Sequence, residues 1–308
     1  MGPMNRLLYF LVVLPLSLLP LPCLNLFKPG IYFLLYRVIR YRKNVVLENL
    51  NRSFPEYNTE EIRTITTSFY WHLSSVLIES VKNLSFSKDE LMRRVQYANP
   101  DLIHTLQRQG RNIILVGGHY GNWEWVITSL GLHFPTNLYG LGMPLSASFW
   151  QRKLTERRER FGLKVIHSKN YKEQILDQSN QPFILLMLAD QSPGDSRKSY
   201  WMEFLNQPTA IAFGTENLAN STDAAVVYFE VLPKPKGTYN ISFKLVSEDI
   251  KALSFGKITT DYTSLIEQSI LKNPYLWMWS HKRWKREIPD DLPALRQAQE
   301  TRFNQLYR

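Results

Sequence analysis

Apolar and polar positions along the chain follow two periods, and each period predicts one type of element. Short apolar runs bounded by turn residues predict strands, and helical patterns lie between several of these runs. We predict strands in NIILVGG (112–118), TNLYGLG (136–142), LKVIH (163–167), FILLMLAD (183–190), AAVVYFEV (224–231) and, as an antiparallel addition after the turn LPKPKG, TYNISFKLV (238–246). This alternation indicates an α/β fold with a mostly parallel central sheet flanked by helices.

Two helices have clear boundary signals. Asn58 and Glu61 form a capping-box pattern. It precedes an apolar stripe at helical spacing, formed by Ile62, Ile65, Phe69, Leu73, Val76 and Leu77. A further helix is expected to start after Pro100 and to stop at Gly110. No repeat, low-complexity tract or linker divides residues 44–308, so we predict a single domain there.

The N-terminal residues predict a membrane anchor. Residues 7–27 carry no charge, and such a run is long enough to cross a hydrocarbon core of roughly 30 Å. Pro15, Pro20 and Pro22 would kink a helix, which leaves a tilted or partly embedded anchor open beside a spanning one. A cleaved signal peptide is the rival, but LPLPC lacks the small residues of a cleavage site. We therefore assign residues 1–43 to an anchor helix and its basic flank.

Net charge limits the classes of binding partner, and cysteine and histidine content limits the kinds of disulfide and metal site. The formal net charge is +10, with a pI near 9.5, which points to an anionic partner such as nucleic acid, phospholipid headgroups or an acidic carrier protein. Lys28, Arg37, Arg40, Arg42 and Lys43 follow the apolar run, an asymmetry that favours a cytoplasmic location for the domain. The single cysteine, Cys23, excludes an intrachain disulfide, and the scattered histidines suggest no metal site. No cofactor is expected.

The run ILVGGHYGNWEW holds the main candidate for catalysis. A buried strand ends at Gly117 and Gly118, and we expect the next helix to begin at or near His119. Ligands bind at such strand ends in open α/β sheets. Glu124 can orient His119 if the histidine lies just before the helix, which leaves one imidazole nitrogen free to take a proton from a hydroxyl or amine. The alternative is a helix-capping histidine with a solvated glutamate.

Arg158 is a second candidate. It falls on the expected apolar stripe of Trp150, Leu154 and Phe161, and an inward arginine needs an anionic or developing-negative partner. Arg160 replaces it if the helix phase differs. The alternative is a solvated basic helix, since residues 151–172 hold eight basic and two acidic side chains. That surface could also dock an acidic carrier protein.

GGHYGNWEW resembles the signature of the late, or secondary, lipid A lauroyl and myristoyl acyltransferases, which belong to the lysophospholipid acyltransferase superfamily. Four further stretches resemble segments of that family in the same order: RERFGLKVI (158–166), LADQSPG (188–194), FLNQPTAIAFGTENLA (204–219) and NPYLWMWSHKRWK (273–285). The resemblance covers nearly the whole chain. It implies an acyltransferase domain at 44–308 that moves a fatty acyl chain from acyl carrier protein, or a coenzyme A thioester, to a membrane lipid acceptor.

The resemblance also assigns roles to residues. It implies that His119 is the general base and that Glu124 is its orienting partner. The oxyanion formed in such a reaction needs a donor, and for it, or for the donor phosphate, we assign Arg158 from its place on the helical stripe. The resemblance places an acidic residue near the site, which we carry over to Asp190. The expected substrate-binding residues are Asn122, Trp123, Arg160, Asp190, Gln191, His281, Lys282 and Arg283. For Asp190 a turn role, and for His281 a core or capping role, stay open.

The C-terminal segment WMWSHKRWK interleaves aromatic and basic residues. Such a composition can stack nucleic-acid bases, but next to an anchor it favours a bilayer interface or a phosphorylated sugar headgroup. We expect no nucleic-acid partner. The implied location is the cytoplasmic side of a bacterial inner membrane.

Two departures from the family pattern leave the acceptor open. Glu230 closes VVYFE where a basic residue is common, and WMWSHKRWK differs from the usual phenylalanine form. An amino lipid or another lysolipid could replace the lipid A precursor. Hypotheses of other classes are a hydrolase that uses the same residues to activate water, and a non-catalytic basic protein that binds membranes or nucleic acid.

Overall fold

The computed structural model describes residues 3–142, 149–167, 171–176 and 181–308. Its helices, in chain order, are α1 Pro3–Leu8, α2 Leu14–Leu18, α3 Leu21–Asn25, α4 Lys28–Phe33, α5 Lys43–Ser53, α6 Thr59–Lys82, α7 Lys88–Arg94, α8 Asp101–Arg108, α9 Trp123–His133, α10 Phe149–Glu159, α11 Tyr171–Leu176, α12 Gly214–Thr222, α13 Lys257–Lys272 and α14 Leu292–Tyr307. Short π-helical turns lie at Tyr9–Val13 and Leu34–Val38, and a 3₁₀ helix at Pro274–Leu276.

The strands are β1 Val95–Tyr97, β2 Ile113–Gly117, β3 Asn137–Gly142, β4 Lys164–His167, β5 Phe183–Leu188, β6 Ser199–Phe204, β7 Gln207–Ala212, β8 Ala225–Lys234 and β9 Thr238–Ser247. Seven of them form one sheet in the order β1-β9-β8-β2-β5-β3-β4, while β6 and β7 form a separate antiparallel hairpin. The pairs β8-β2, β2-β5, β5-β3 and β3-β4 are parallel, and β8-β9 is antiparallel. The predicted mostly parallel sheet is therefore confirmed.

Alternate residues of the central strands enter two different cores. Ile114 and Val116 of β2 pack in one cluster with residues of α5, α6 and α13. Ile113 and Leu115 pack in the other with residues of α7, α8 and α9. Since successive strand residues point to opposite faces, both faces of the sheet are covered by helices.

The two predicted helix signals are confirmed. The Asn58 side chain accepts hydrogen bonds from the amides of Glu60 and Glu61, and Glu61 returns one to the Asn58 amide, so α6 begins with a complete capping box. α8 follows Pro100, and Gly110 adopts a φ of +70° just beyond the helix. The expected helix start at His119 is wrong: α9 begins at Trp123 because Asn122 caps it.

The N-terminal segment differs from the single anchor helix that the composition predicts. Within the described residues, no one helix is long and apolar enough to span a bilayer; Met4–Leu18 and Leu21–Val38 satisfy length and composition only together, with a bend of 115° between them. The bend falls at Pro20, where the chain is extended. Leu21 and Leu24 are buried against the domain, whereas Leu7, Leu11 and Leu26 are exposed.

Candidate active site

The site lies in the turn that joins β2 to α9, at the carboxyl end of the central strand. Close packing of this turn explains two of its glycines. A Cβ on Gly117 would lie 2.7 Å from the ring of Phe229, and one on Gly121, at a φ of +62°, would lie 2.5 Å from the carbonyl oxygen of Val231. The turn is thus pressed against β8, which fixes where His119 projects.

Asp190 is the carboxylate that holds His119. His119 Nδ1 lies 2.7 Å from Asp190 Oδ1, and the His119 amide donates to Asp190 Oδ2 at 2.7 Å. Trp277 Nε1 also donates to Oδ2, at 2.8 Å. The sequence assigned the orienting role to Glu124, and the structure corrects this: Asp190 follows β5, the neighbour of β2, so the parallel sheet brings it to the same edge.

The charge state of Asp190 follows from its partners. Burial alone would raise the pKa of this carboxyl group, but His119 and the donors around it outweigh burial and lower the pKa to about 2. An ionised carboxylate only accepts hydrogen bonds, so His119 Nδ1 carries a proton. In the neutral imidazole Nε2 then holds the lone pair, and Gln191 Nε2 lies 3.1 Å from it. Nε2 is therefore the nitrogen that can act as a base.

Glu124 binds two arginines instead of the histidine. Arg158 Nη2 lies 2.5 Å from Glu124 Oε1 and Arg158 Nε lies 3.1 Å from Oε2, while Arg157 Nη2 donates to Oε2. Burial would raise the pKa of Glu124, but the two guanidinium groups lower it to about 2. Arg158 thus lies inward, as its position on the helical stripe predicted, and Glu124 neutralises part of its charge.

Arg157 is a site residue that the sequence analysis missed. Its side chain is buried, and its Nη1 donates to the Ser80 carbonyl at 3.2 Å. The helical stripe of Trp150, Leu154 and Phe161 includes Arg158 but not its neighbour Arg157. Helix α10 ends one residue after Arg158, at Glu159, and both guanidinium groups converge there on one carboxylate.

Of the remaining predicted substrate-binding residues, some contact His119 and others do not. Trp123 lies beside His119, with ring centroids 5.1 Å apart, and Gln191 contacts the His119 ring directly. Arg160 is exposed and donates to the Leu84 carbonyl at 3.1 Å, away from His119. Arg160 was expected to replace Arg158 only if the helix phase differed, and α10 places Arg158 inward as predicted.

The basic C-terminal segment does not form one ligand surface. Arg283 is only 1% exposed and donates to the Ala210 carbonyl at 2.8 Å, whereas Lys282 is exposed. His281 Nε2 accepts a hydrogen bond from the Ser192 amide at 3.1 Å, and burial lowers the pKa of His281 to about 4. His281 therefore supports the loop that follows Asp190, which agrees with the capping role left open for it.

Helix α6 supplies two further polar residues behind the turn. Glu79 Oε2 accepts hydrogen bonds from Asn122 Nδ2 at 2.6 Å and from the Tyr239 hydroxyl at 2.7 Å. His72 Nε2 lies 3.3 Å from the Gly121 carbonyl oxygen. Sequence reasoning missed both, although a glutamate and a histidine near a helical apolar stripe give the same kind of signal as Arg158.

The donors of the described residues do not suggest a bound metal. No group of three or more His, Cys, Asp and Glu side chains in residues 3–142, 149–167, 171–176 and 181–308 is arranged to hold an ion. The site's carboxylates are already occupied by His119 and by the two arginines. What this arrangement offers chemically is one basic nitrogen, backed by a carboxylate, beside a cationic cluster.

Fold and site together define an α/β enzyme with a histidine–carboxylate pair at the carboxyl edge of its sheet. Comparison with known proteins gives the family. Residues 4–286 match the bacterial lipid A biosynthesis acyltransferases, and the chain belongs to that family. It is therefore an acyltransferase, and the resemblance of the five sequence stretches is confirmed.

Curated relatives agree over nearly the full length. The chain is 24% identical over 279 residues to the lipid A biosynthesis lauroyltransferase of Escherichia coli (strain K12), an alignment that covers 90% of this chain and 89% of the relative. It is 22% identical over 284 residues to a lipid A biosynthesis acyltransferase of Haemophilus influenzae, again covering 90% and 89%. Membership of the family implies a lipid acceptor.

Proposed function

We propose that this protein transfers a fatty acyl chain from an acyl carrier protein thioester to a hydroxyl group of a lipid A precursor, with His119 as the general base. The observation that carries the proposal is the His119–Asp190 pair, in which Nδ1 is tied to an ionised carboxylate and Nε2 keeps a lone pair. Family membership supplies the reaction class, and the geometry supplies a base.

The proposed reaction needs no nucleophile from the protein. The acceptor hydroxyl displaces the Gln191 amide and donates to His119 Nε2, which takes its proton as the oxygen attacks the thioester carbonyl carbon. Asp190 stabilises the imidazolium that forms. The tetrahedral intermediate collapses with cleavage of the carbon–sulfur bond, and His119 returns the proton to the departing thiolate.

Negative charge develops on the carbonyl oxygen in this step, and cationic or N–H donors must stabilise it. Arg158 is the candidate that the sequence supplied, and its partial exposure, at 19% of the side chain, leaves it open to a ligand. Arg157, at 8%, is the more enclosed of the two. We assign Arg158 to the reacting groups or the donor phosphate, and Arg157 to holding Glu124 in place.

Acyl carrier protein is proposed as donor because the surface around α10 is basic. Arg157 and Arg158 are occupied by Glu124, but Arg152, Arg160 and Lys164 are exposed. An acidic carrier would be attracted to such a surface, and its binding would weaken as salt screens the charges. A coenzyme A thioester is the competing donor.

We further propose that the N-terminal helices bind the cytoplasmic leaflet of the inner membrane. Their exposed apolar side chains include Leu7, Leu11, Leu18 and Leu26. Arg37, Arg40 and Lys43 follow on the same segment, and basic residues there suit anionic headgroups. The bent arrangement suits insertion into one leaflet as well as a broken span.

The test uses purified protein with a panel of acyl-carrier and coenzyme A thioesters and native lipid extract, with products identified by mass spectrometry. We expect wild type to add one acyl chain to a phosphorylated glycolipid, and His119→Ala and Asp190→Asn to lose that product. Free fatty acid as the only His119-dependent product would instead establish a hydrolase, and an acylated amino lipid or lysolipid would replace the proposed acceptor. Equal behaviour of all three proteins would refute His119 catalysis.

A further inference from the structure

A cavity lined by residues of α4 and α6 lies behind the catalytic turn. It measures about 960 Å³ and is walled by α4, α6, the turn between β8 and β9, and the 3₁₀ helix Pro274–Leu276. Since β8 runs parallel to β2, the turn after Lys234 lies at the same edge of the sheet as Gly117. The cavity and the candidate active site therefore share one edge of the molecule.

Aromatic rings and small hydroxyl groups line much of the cavity. The rings belong to Trp71, Tyr32 and Tyr275, and the hydroxyls include those of Thr67, Ser68 and Ser75. Trp71 is 44% exposed, so part of its ring is open to the cavity. Flat apolar faces beside hydrogen-bonding groups suit a sugar ring, which has apolar C–H faces and hydroxyl edges.

Two lysines add positive charge to the cavity. Lys28 lies over the Trp71 ring, with Nζ 4.2 Å from its centroid, and Lys234, the last residue of β8, also lines the cavity. Burial lowers the pKa of Lys28, so its ammonium group is partly withdrawn from water. Two cations that face one cavity can bind a phosphate group.

Glu79 closes the inner end of the cavity. Both of its side-chain hydrogen bonds to the described residues fall on Oε2, from Asn122 and Tyr239, which leaves Oε1 as the oxygen available to a ligand. Burial raises the pKa of Glu79 to about 7, so near neutral pH this group can donate or accept a hydrogen bond. A sugar hydroxyl matches that chemistry.

The cavity is connected to the catalytic turn by shared residues. His72 and Leu276 line it and also line a narrow apolar gap of about 10 Å³ that reaches Trp123. The Trp123 ring in turn contacts His119. Because the gap is so narrow, an acyl branch can pass along it only if side chains shift.

The outer rim continues into the exposed apolar residues of the N-terminal segment. Leu26 is 80% exposed, Phe27 53% and Phe33 60%, and all three lie within a few residues of Lys28. A lipid that leaves a bilayer at this segment would present its headgroup to the cavity while its chains stay on the apolar surface.

We infer that this cavity binds the phosphorylated sugar headgroup of the acceptor lipid, with Lys28 and Lys234 on the phosphate, Trp71 against a sugar ring and Glu79 on a sugar hydroxyl. The inference rests on the proposed acyl transfer, since it names where the acceptor of that reaction binds. The proposed ligand of the cavity is the acceptor lipid, and the alternative ligand is the phosphate-bearing arm of the donor thioester.

The test measures equilibrium binding on the His119→Ala protein, so it does not depend on turnover. The probes are the phosphorylated glycolipid purified from native extract, presented in mixed micelles, and the same lipid after removal of its phosphate groups. We expect Lys28→Met and Lys234→Met each to weaken binding of the phosphorylated lipid about tenfold, as for one lost charge-assisted contact. Neither should change binding of the dephosphorylated lipid.

Trp71→Ala should weaken binding of both lipids, because its ring contacts the sugar and not the phosphate. Lys251→Met is the matched control, an exposed lysine after β9 at the opposite edge of the sheet, and should change neither. The inference is overturned if Lys28→Met and Lys234→Met bind the phosphorylated lipid like the control, or weaken both lipids equally. It is also overturned if they weaken binding of the acyl thioester donor instead.

These outcomes stay separate from the proposed function. If the wild-type protein transfers acyl chains but the lysine variants bind the lipid normally, the cavity assignment fails and the reaction stands. If the lysine variants lose binding but the wild-type protein releases only fatty acid, the headgroup site stands and the transfer reaction fails.

Discussion

Two buried carboxylates lie on either side of the start of α9 and have opposite surroundings. Asp190 is hydrogen-bonded to one imidazole, and Glu124 is bound to two guanidinium groups. Both have a pKa lowered to about 2, in each case because partners outweigh burial. Asp190 thus faces a group that can gain a proton, and Glu124 faces groups that keep theirs.

Spacing along the chain therefore does not identify the partner of a catalytic histidine. Glu124 is five residues from His119 and Asp190 is far away in sequence, yet Asp190 is the one in contact. We therefore expect loss of Asp190 to affect the chemical step and loss of Glu124 to affect the arginine cluster and the fold around it.

The largest expected effect is that of Asp190→Asn. An asparagine in this position would offer its amide to Nδ1 and favour the tautomer whose Nε2 carries the proton, which removes the base. We expect kcat for acyl transfer to fall about 10³-fold, within the range that general-base catalysis supplies. The measurement is single-turnover transfer, with circular dichroism to confirm folding. A kcat within tenfold of wild type would contradict the assigned role.

Glu124→Gln should act mainly on stability. Its removal leaves two cations in a buried place without a carboxylate, a change that costs about 3–5 kcal/mol for a buried ion pair. Urea denaturation measures the loss. Asp291→Asn is the matched control, because Asp291 also binds one arginine through both oxygens but lies on the surface. It should leave the urea midpoint nearly unchanged. An equal loss of unfolding free energy in both variants would refute the difference between the buried and the surface ion pair.

Glu79→Gln should change how stability depends on pH. Burial raises the pKa of Glu79 from 4.5 to about 7, so the folded protein holds a proton there that the unfolded chain releases. Wild type is therefore expected to lose stability as pH rises from 4.5 to 7, by on the order of 3 kcal/mol at this site. The glutamine variant lacks that loss. Its free energy of unfolding, compared with that of wild type, should therefore be higher at pH 8 than at pH 4.5.

Thermal unfolding of both proteins across that pH range measures the difference, in which the effects of the shared histidines cancel. Glu60→Gln, an exposed glutamate on the same helix, serves as control and should follow wild type. Parallel pH curves for wild type and Glu79→Gln would show that Glu79 titrates like an ordinary glutamate.

The smallest expected effect is that of Gln191→Ala. The Gln191 amide occupies His119 Nε2 in the free protein and has to leave before the acceptor binds. Loss of one neutral hydrogen bond changes a free energy by about 1 kcal/mol, so kcat/KM should change by less than about tenfold. A fall as large as that of Asp190→Asn would place Gln191 in the catalytic machinery.

The sequence predicted the sheet well because buried strands and their flanking turns are local signals. All six predicted strands are present, and the capping box of α6 could be read from Asn58 and Glu61. Strand β1 was missed because it has only three residues, and the hairpin of β6 and β7 because no turn signal separates the two strands clearly.

The site was only partly predictable for a related reason. His119, Arg158, Asp190 and Gln191 were found as separate candidates at strand ends and on a helical stripe. Which of them touch depends on strand order, and one sequence does not reveal that β5 lies next to β2. In the N-terminal segment the prolines were expected to kink a helix, and the chain does bend next to Pro20; the 115° angle of that bend could not be read from composition.

The most direct test of the central claim is the protonation state of His119, read by long-range ¹H–¹⁵N correlation NMR on histidine-labelled protein in detergent micelles, with His119→Ala to identify the resonance. Our account predicts that the neutral form of the ring carries its proton on Nδ1 in wild type, unchanged by Glu124→Gln and shifted toward the Nε2-protonated form by Asp190→Asn. A wild-type ring protonated at Nε2, or a tautomer that responds to Glu124→Gln but not to Asp190→Asn, would contradict it.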